Sequence, residues 1–413
     1  MKYKFVLCLA TLLSISSGVV IADVGVNLKL EKIIEVYELK ACNPPPKEAG
    51  YEFGKFLFNS KVLSGDRDVS CATCHLTEKG LADGLPLAVG VGGEGESLSR
   101  LYEGKGTLVQ RNAFSLFGRG HLVNTNFFWD GKVDSADDGR VFSPLGNQIS
   151  KKFSSALAVA AVLPLTERDE FLGKSNFFSA NELIKAAGDK YYGERYTALG
   201  RPLQERLKKE AKAELSNTSA WGVIESPDFE LADIGNGLAS FIKTEFACRK
   251  SAWEAFLAGN KSALNANQKD GAILFYGKAR CATCHSGAAF TDFRFHSIGV
   301  PQGEFGPSTR RRDLGRAQVT NKREDMYRFR TPPLLAVGET SPYGHNGIFK
   351  TLEEVVLHHV NPILIYLDDS SLSKPQNRLK VSKTLDSRDP KLQSIEIETE
   401  DELHRLVDFL KTL

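Results

Sequence analysis

Methionine is almost absent. The 413 residues contain two, one of them Met1, so a methionine thioether is available at one internal position, Met326, in a charged stretch. A strong charge of either sign is missing as well. The formal net charge of +2 gives no electrostatic footprint for nucleic acid or an anionic bilayer. Beyond the N-terminus, no apolar run approaches the ~20 residues of a membrane helix. Strand patterns are few. Further ligands at finger-like spacing are lacking too, which argues against structural zinc. What is left is an ordinary globular composition, 42% hydrophobic and 25% charged, in a chain long enough for two domains.

The N-terminus reads as a secretory signal over residues 1–22. Lys2 and Lys4 precede the apolar run Phe5 to Ile15, and Val20-Ile21-Ala22 before Asp23 offers a cleavage site. An uncleaved anchor is the alternative. Cleavage implies export to the periplasm, with no membrane span in the mature chain. Cys8 leaves with the signal. Of the other six cysteines, Cys42 and Cys248 belong to no motif. They form either one disulfide, which would persist in an exported protein, or two separate buried thiols.

The remaining four stand in Cys71-Ala72-Thr73-Cys74-His75 and Cys281-Ala282-Thr283-Cys284-His285. In this motif two thiols add to the vinyl groups of a haem and the adjacent histidine lies under the iron. Two copies in an exported chain point to two covalently bound c-type haems, with His75 and His285 as proximal ligands. Each motif follows a glycine-bearing apolar stretch, Gly54-Lys55-Phe56-Leu57-Phe58 before the first and Gly271-Ala272-Ile273-Leu274-Phe275-Tyr276-Gly277 before the second. The expected architecture is mostly α, two cytochrome c-like haem domains with long loops. We divide it at residues 23–229 and 230–413. Gly222 to Phe229 reads as a linker, Leu231 to Leu257 as one long helix opening the second domain, Gly299 to Tyr327 and Ser370 to Pro390 as loops, and Glu400 to Leu413 as a closing helix.

What each haem does depends on the sixth position of its iron. Two strong ligands make an electron carrier, and an open position makes a site for oxygen or peroxide. His121, His296, His345, His358, His359 and His404 are available. Thr351 and Glu354 form a capping box that starts a helix. Leu352, Val355, Val356 and His359 then share its apolar face, and His358 is rotated off it. A core histidine held by a hydrogen bond is the alternative reading of His359.

These residues together resemble the bacterial di-haem cytochrome c peroxidases and their MauG-like relatives. The resemblance runs over nearly the whole mature chain. It rests on Leu63-Ser64, Arg111-Asn112, Phe128-Trp129-Asp130-Gly131-Lys132, Phe329-Arg330-Thr331-Pro332 and Ser341-Pro342-Tyr343-Gly344-His345-Asn346-Gly347, in that order around the two motifs. It implies a peroxide site at the N-terminal haem, an electron-transfer role for the C-terminal haem, and Trp129 as the relay between them. It also implies a calcium ion held by the Asn112 side chain and the carbonyls of Thr340 and Pro342, oxygen ligands suited to a hard cation.

Three departures stand beside the matches. Where the peroxidases place Met and MauG-like proteins Tyr as a ligand of the second haem, an unbroken count from Pro342 reaches His359. Met326 falls well before this helix. A His/His haem has a lower potential than a Met/His one. No histidine occurs in Leu76 to Gln110, so the first iron is expected to be open, with His121 the nearest alternative ligand. Ser150 occupies the place of the family's catalytic Glu, which leaves Gln148 as a group that can hydrogen-bond a bound ligand without shuttling protons.

The resemblance therefore implies a peroxidase or a MauG-like peroxide-dependent oxidase. Its partners would be hydrogen peroxide and either a small c-type cytochrome or copper-protein donor, or a protein or peptide substrate. Family members are often dimers. A closed first haem would make the protein an electron carrier instead.

Overall fold

The computed structural model describes residues 25–103, 106–120, 126–136, 138–173, 181–302, 312–366 and 375–413. The signal reading of residues 1–22 and the ligand reading of His121 fall outside them. About half of the protein is helical, with five short strands among the described residues. No described helix is long and apolar enough to cross a membrane.

Two hydrophobic cores organise the chain, each built on one pair of crossing helices. In the first, Tyr51–Asn59 buries Tyr51, Phe53, Leu57 and Phe58 against Leu231–Glu245, which buries Leu231, Ile234, Leu238, Phe241 and Ile242. The second helix starts where Glu230 and Asp233 cap each other's backbone amides. Gly54 lies at the crossing, where an added Cβ would stand 1.9 Å from the Gly237 carbonyl oxygen. Only glycine lets the two backbones come so close.

The second core repeats the device. Ala266–Tyr276, capped by Asn265 and Gln268, crosses Glu400–Leu410, capped by Thr399. A Cβ on Gly271 would stand 1.9 Å from the Arg405 carbonyl oxygen. The two glycines are those of the similar stretches before the haem motifs, so the sequence likeness reflects the same helix crossing.

The expected helix over 231–257 is two helices, Leu231–Glu245 and Ala252–Leu257. The first of them packs on the N-terminal core and does not open the second half. In return, Leu30 and Leu39 are buried in the second core beside Trp253. Cys42 and Cys248 are disulfide-bonded and lie 206 residues apart in sequence. The bond closes a loop that contains the whole first core. The stretch read as a linker, Gly222 to Phe229, begins inside the helix Ser219–Glu225, and Pro227 follows the helix end. Within the tail read as a loop, Pro375–Asp386 is a helix, with proline at its first position, where the missing N–H does no harm.

The strands make two small antiparallel elements. Asn126–Phe127, Val133–Ser135 and Val141–Phe142 form one, and Trp129 sits in its first turn. Phe295–His296 pairs with Phe329–Arg330, placing Phe295 opposite Arg330 and His296 opposite Phe329.

Candidate functional site

The two Cys-x-x-Cys-His segments are short helical turns, Cys71–Cys74 and Cys281–Thr283. Their four cysteines are free of disulfides. After each turn the chain fixes its histidine in the same way. His75 Nδ1 meets the Leu81 carbonyl at 2.8 Å, and His285 Nδ1 meets the Phe290 carbonyl at 3.0 Å. Leu81 and Phe290 both adopt left-handed backbone, with φ of 64° and 53°. That conformation is uncommon for bulky residues and turns each carbonyl back toward its histidine. Burial pushes both imidazoles down to about 4, so they are neutral at pH 7. With Nδ1–H committed to a carbonyl, the lone pair lies on Nε2, the arrangement of an imidazole ready to ligate a metal.

A mostly apolar cavity of about 220 Å³ opens beside the second motif. Cys281, Cys284, His285 and His359 all line it. His359 Nδ1 meets the Val355 carbonyl at 2.7 Å, so it too keeps its lone pair on Nε2. Burial depresses its pKa, and after burial its field is the next largest influence depressing His285. Two neutral imidazoles, two free thiols and an apolar chamber fit a haem held by Cys281, Cys284, His285 and His359. Met326 is not among the lining residues.

His358 is the more deeply buried of the histidine pair, but it packs elsewhere. Its ring lies 4.7 Å from Phe349, does not line the cavity, and neither nitrogen has a hydrogen-bond partner. Burial holds it down at about 3. The helix Leu352–Val360 begins as expected at Thr351, whose hydroxyl accepts the Glu354 amide. The return half of the box is displaced by one residue, since Glu354 accepts from the Lys350 amide.

The wall between the two motifs is built from the N-terminal half. Asn112, Phe114, Arg119 and Trp129 line the same cavity as His285. The Phe114 ring is 6.2 Å from the His75 ring and 6.0 Å from Phe128. Trp129 is buried, and its indole N–H donates to the Asn112 carbonyl at 3.0 Å. Arg111 locks this wall to the second half: it donates to Asp130 at 2.6 Å and to both oxygens of Asp313 at 2.7 and 2.8 Å. Thr340 and Pro342 reach the same wall, and the Asn112 side-chain amide lies 3.3 Å from the Pro342 carbonyl oxygen. His345 stacks on Phe329 at 3.7 Å, and burial holds it neutral, down to about 4.

His296 is held differently. Burial alone would lower it, but bonds to Asp292 and Asp389 at 2.9 and 2.6 Å, with Cys284 beside it, leave it raised to about 10. Cys284, Asp292 and His296 bring ligand atoms within 4.8 Å of one another. A thioether bond from Cys284 to haem would remove its sulfur from that set as a metal-binding thiolate.

Several groups were not legible from motifs alone. Asp83 is buried, accepts the Leu85 amide with one oxygen and leaves the other without a partner. Burial raises it to about 7. Glu170, in the π-helical turn Arg168–Leu172, is likewise raised by burial to about 7, opposed by Lys132. Both carboxyls act on Cys74. Asp83 follows Leu81 as Asp292 follows Phe290, and that parallel was the available signal. Ser150 does not reach the cavity wall, and its hydroxyl accepts the Lys152 amide. Gln148 ends the 3-10 turn Gly146–Gln148, and its side chain lies outside the described atoms.

Known proteins are similar to this chain over much of its length. The family described as di-haem cytochrome c peroxidase matches residues 48–262. Cytochrome-c peroxidase IdrP2 of Pseudomonas sp. is 27% identical over 337 residues, 76% of this chain and 74% of the relative. Methylamine utilization protein MauG of Methylorubrum extorquens is 31% identical over 313 residues, 74% of this chain and 67% of the relative. The crystal structure of the diheme peroxidase BthA from Burkholderia thailandensis superposes with a TM-score of 0.63 at 20% identity, covering 90% of this chain and 86% of that one.

Proposed function

Since the chain belongs to the di-haem cytochrome c peroxidase family, we propose that it is an exported, periplasmic di-haem oxidoreductase that consumes hydrogen peroxide. In this reading Cys71, Cys74 and His75 hold a peroxide-reactive haem, and Cys281, Cys284, His285 and His359 hold a bis-imidazole electron-transfer haem. Haem held by these residues would supply redox-active iron for electron transfer and for reaction with small oxidants. The observation that carries the reading is the pair His285 and His359, both neutral, both with Nδ1 committed, lining one apolar cavity with two free thiols.

The remaining roles follow from chemistry. Trp129 is proposed as the electron relay, its ring oriented by the bond to the Asn112 carbonyl. Asn112, Thr340 and Pro342 offer amide and carbonyl oxygens for a calcium ion, which would tie the wall to the second half. Gln148 is assigned to hydrogen-bonding the bound oxidant. General acid–base help from position 150 is absent, since a serine hydroxyl does not exchange protons near neutral pH. That absence favours a slow, MauG-like oxidation of a protein or peptide over rapid turnover with a small c-type cytochrome or copper-protein donor.

The test is steady-state peroxide consumption by the purified di-haem protein with a reduced small c-type cytochrome, with absorption spectra recorded alongside. Spectral oxidation by peroxide with little turnover is the expected result. Fast turnover would make it a peroxidase that works without a carboxylate at position 150. No spectral response to peroxide would leave an electron carrier and end the enzyme reading.

A further inference from the structure

Two arginines are buried in the wall between the haem motifs. Arg119 and Arg330 are 2% and 1% exposed, and both line the cavity beside the second motif. Arg119 donates through Nε to the Ser115 carbonyl and lies 4.5 Å from the Phe114 ring. Arg330 donates through Nε to the Phe128 carbonyl at 3.0 Å, and its amide donates to the Trp129 carbonyl at 2.8 Å. Its Nη1 is buried with no hydrogen-bond partner.

The electrostatics sharpen the question. Burial depresses both guanidiniums, Arg330 down to about 9, and Arg119 is depressed further by the like charge of Arg330. Asp130 is the anion that offsets Arg330. Its two oxygens are taken by Arg111 and by the Lys132 amide. Two like charges buried side by side are strongly unfavourable unless an anion joins them. The cavity they face holds thiols and imidazoles suited to haem, and haem carries two propionate carboxylates. Arginine's planar fork matches a carboxylate in two parallel hydrogen bonds.

We propose that Arg330, with Arg119 beside it, receives a haem propionate at the seam between the two halves. Through its bonds to Phe128 and Trp129, Arg330 then holds that haem edge against the proposed relay. This rests on the di-haem reading. The propionate comes from the first haem, whose histidine feels Arg119, or from the second, whose cavity both arginines line.

The experiment compares the full-length di-haem protein with Arg330→Gln and Arg330→Lys, counting haems per chain by pyridine haemochrome. Two readouts follow: the propionate-bending band of each haem in resonance Raman, and the reduction potential of each haem by spectroelectrochemical titration. Loss of a positive charge disfavours the reduced haem. Arg330→Gln should therefore lower one reduction constant about tenfold or more, 59 mV per tenfold for one electron, and move that haem's propionate band. Arg330→Lys should keep most of the potential but still move the band, because the fork is lost. Which haem responds identifies the propionate. An unmoved band in both haems overturns the proposal even if a potential shifts, since the shift then reports only a distant charge. Should Arg330→Gln fail to fold, the band in Arg330→Lys decides in the same way. A wild-type chain without haem would overturn this proposal and the function together. Two haems with unmoved bands would overturn this one alone.

Discussion

Removing the bond between Cys42 and Cys248 should destabilise the first core more than any single surface change. The bond spans 206 residues, and the loop it closes contains every residue of the N-terminal core from Tyr51 to Phe246. In the chain-entropy relation, a loop of that length restricts the unfolded chain by about 5 kcal/mol at 25 °C. Typical domains have only ~5–15 kcal/mol of stability in all. For a unit of this size each kcal/mol moves the melting temperature by roughly 2–4 °C. The double variant Cys42→Ser/Cys248→Ser should therefore melt about 10–20 °C below the wild type. The assay is thermal unfolding of the oxidised protein and the double variant, followed by far-ultraviolet circular dichroism and by haem absorbance. Dithiothreitol on the wild type should reproduce the shift, because thioether links to haem survive it. A double variant melting within about 2 °C of the wild type would refute the argument. It would mean that the burial of Leu30 and Leu39 in the second core already holds the loop ends together, or that the unfolded chain is not a free loop.

Three further outcomes follow from the geometry. His359→Met should raise the potential of the second haem by roughly 100–300 mV, part of the ~0.8 V that ligand choice spans; an unmoved potential in redox titration removes His359 from the coordination sphere. Asp83→Asn should change how stability depends on pH. The folded-state pKa of Asp83 is raised by burial to about 7, so its contribution is fully present below about pH 4 and lost as pH rises through 7. The variant should gain on the wild type in unfolding free energy between about pH 4 and pH 7, by up to about 1.4 kcal/mol per pH unit, and no further above that, and parallel pH profiles from denaturant titrations would contradict this. Gly271→Ala should cost roughly 3 kcal/mol, since its Cβ meets the Arg405 carbonyl oxygen at 1.9 Å; a melting temperature equal to wild type would show that the helices can separate freely.

The parts of this protein visible in sequence are those fixed by local chemistry. The two haem motifs, the helix start at Thr351 and the apolar face that carries His359 are all set within a dozen residues. The likeness of the stretches at Gly54 and Gly271 was also readable, though its cause, a close backbone crossing, needed the partner helices at Gly237 and Arg405. What sequence could not supply was partnership over distance. Leu231–Glu245 has an apolar stripe that fits either core, and nothing local says that it closes the first one. Cys42 and Cys248 carry no spacing signal across 206 residues. Arg119 and Arg330 read as ordinary charged residues until burial at the shared wall puts them in each other's field.

The left-handed turns at Leu81 and Phe290 bear on how the two halves came to differ. Each turn orients its histidine using only the few residues that follow the motif, so the aim of either imidazole is independent of the rest of the fold. A duplicated module would inherit this latch intact. Divergence after duplication could then act on the far side of each ring, where the second half carries the helix bearing His359. Division of labour between two such centres requires no change in how either histidine is aimed, only in what the chain sets opposite it.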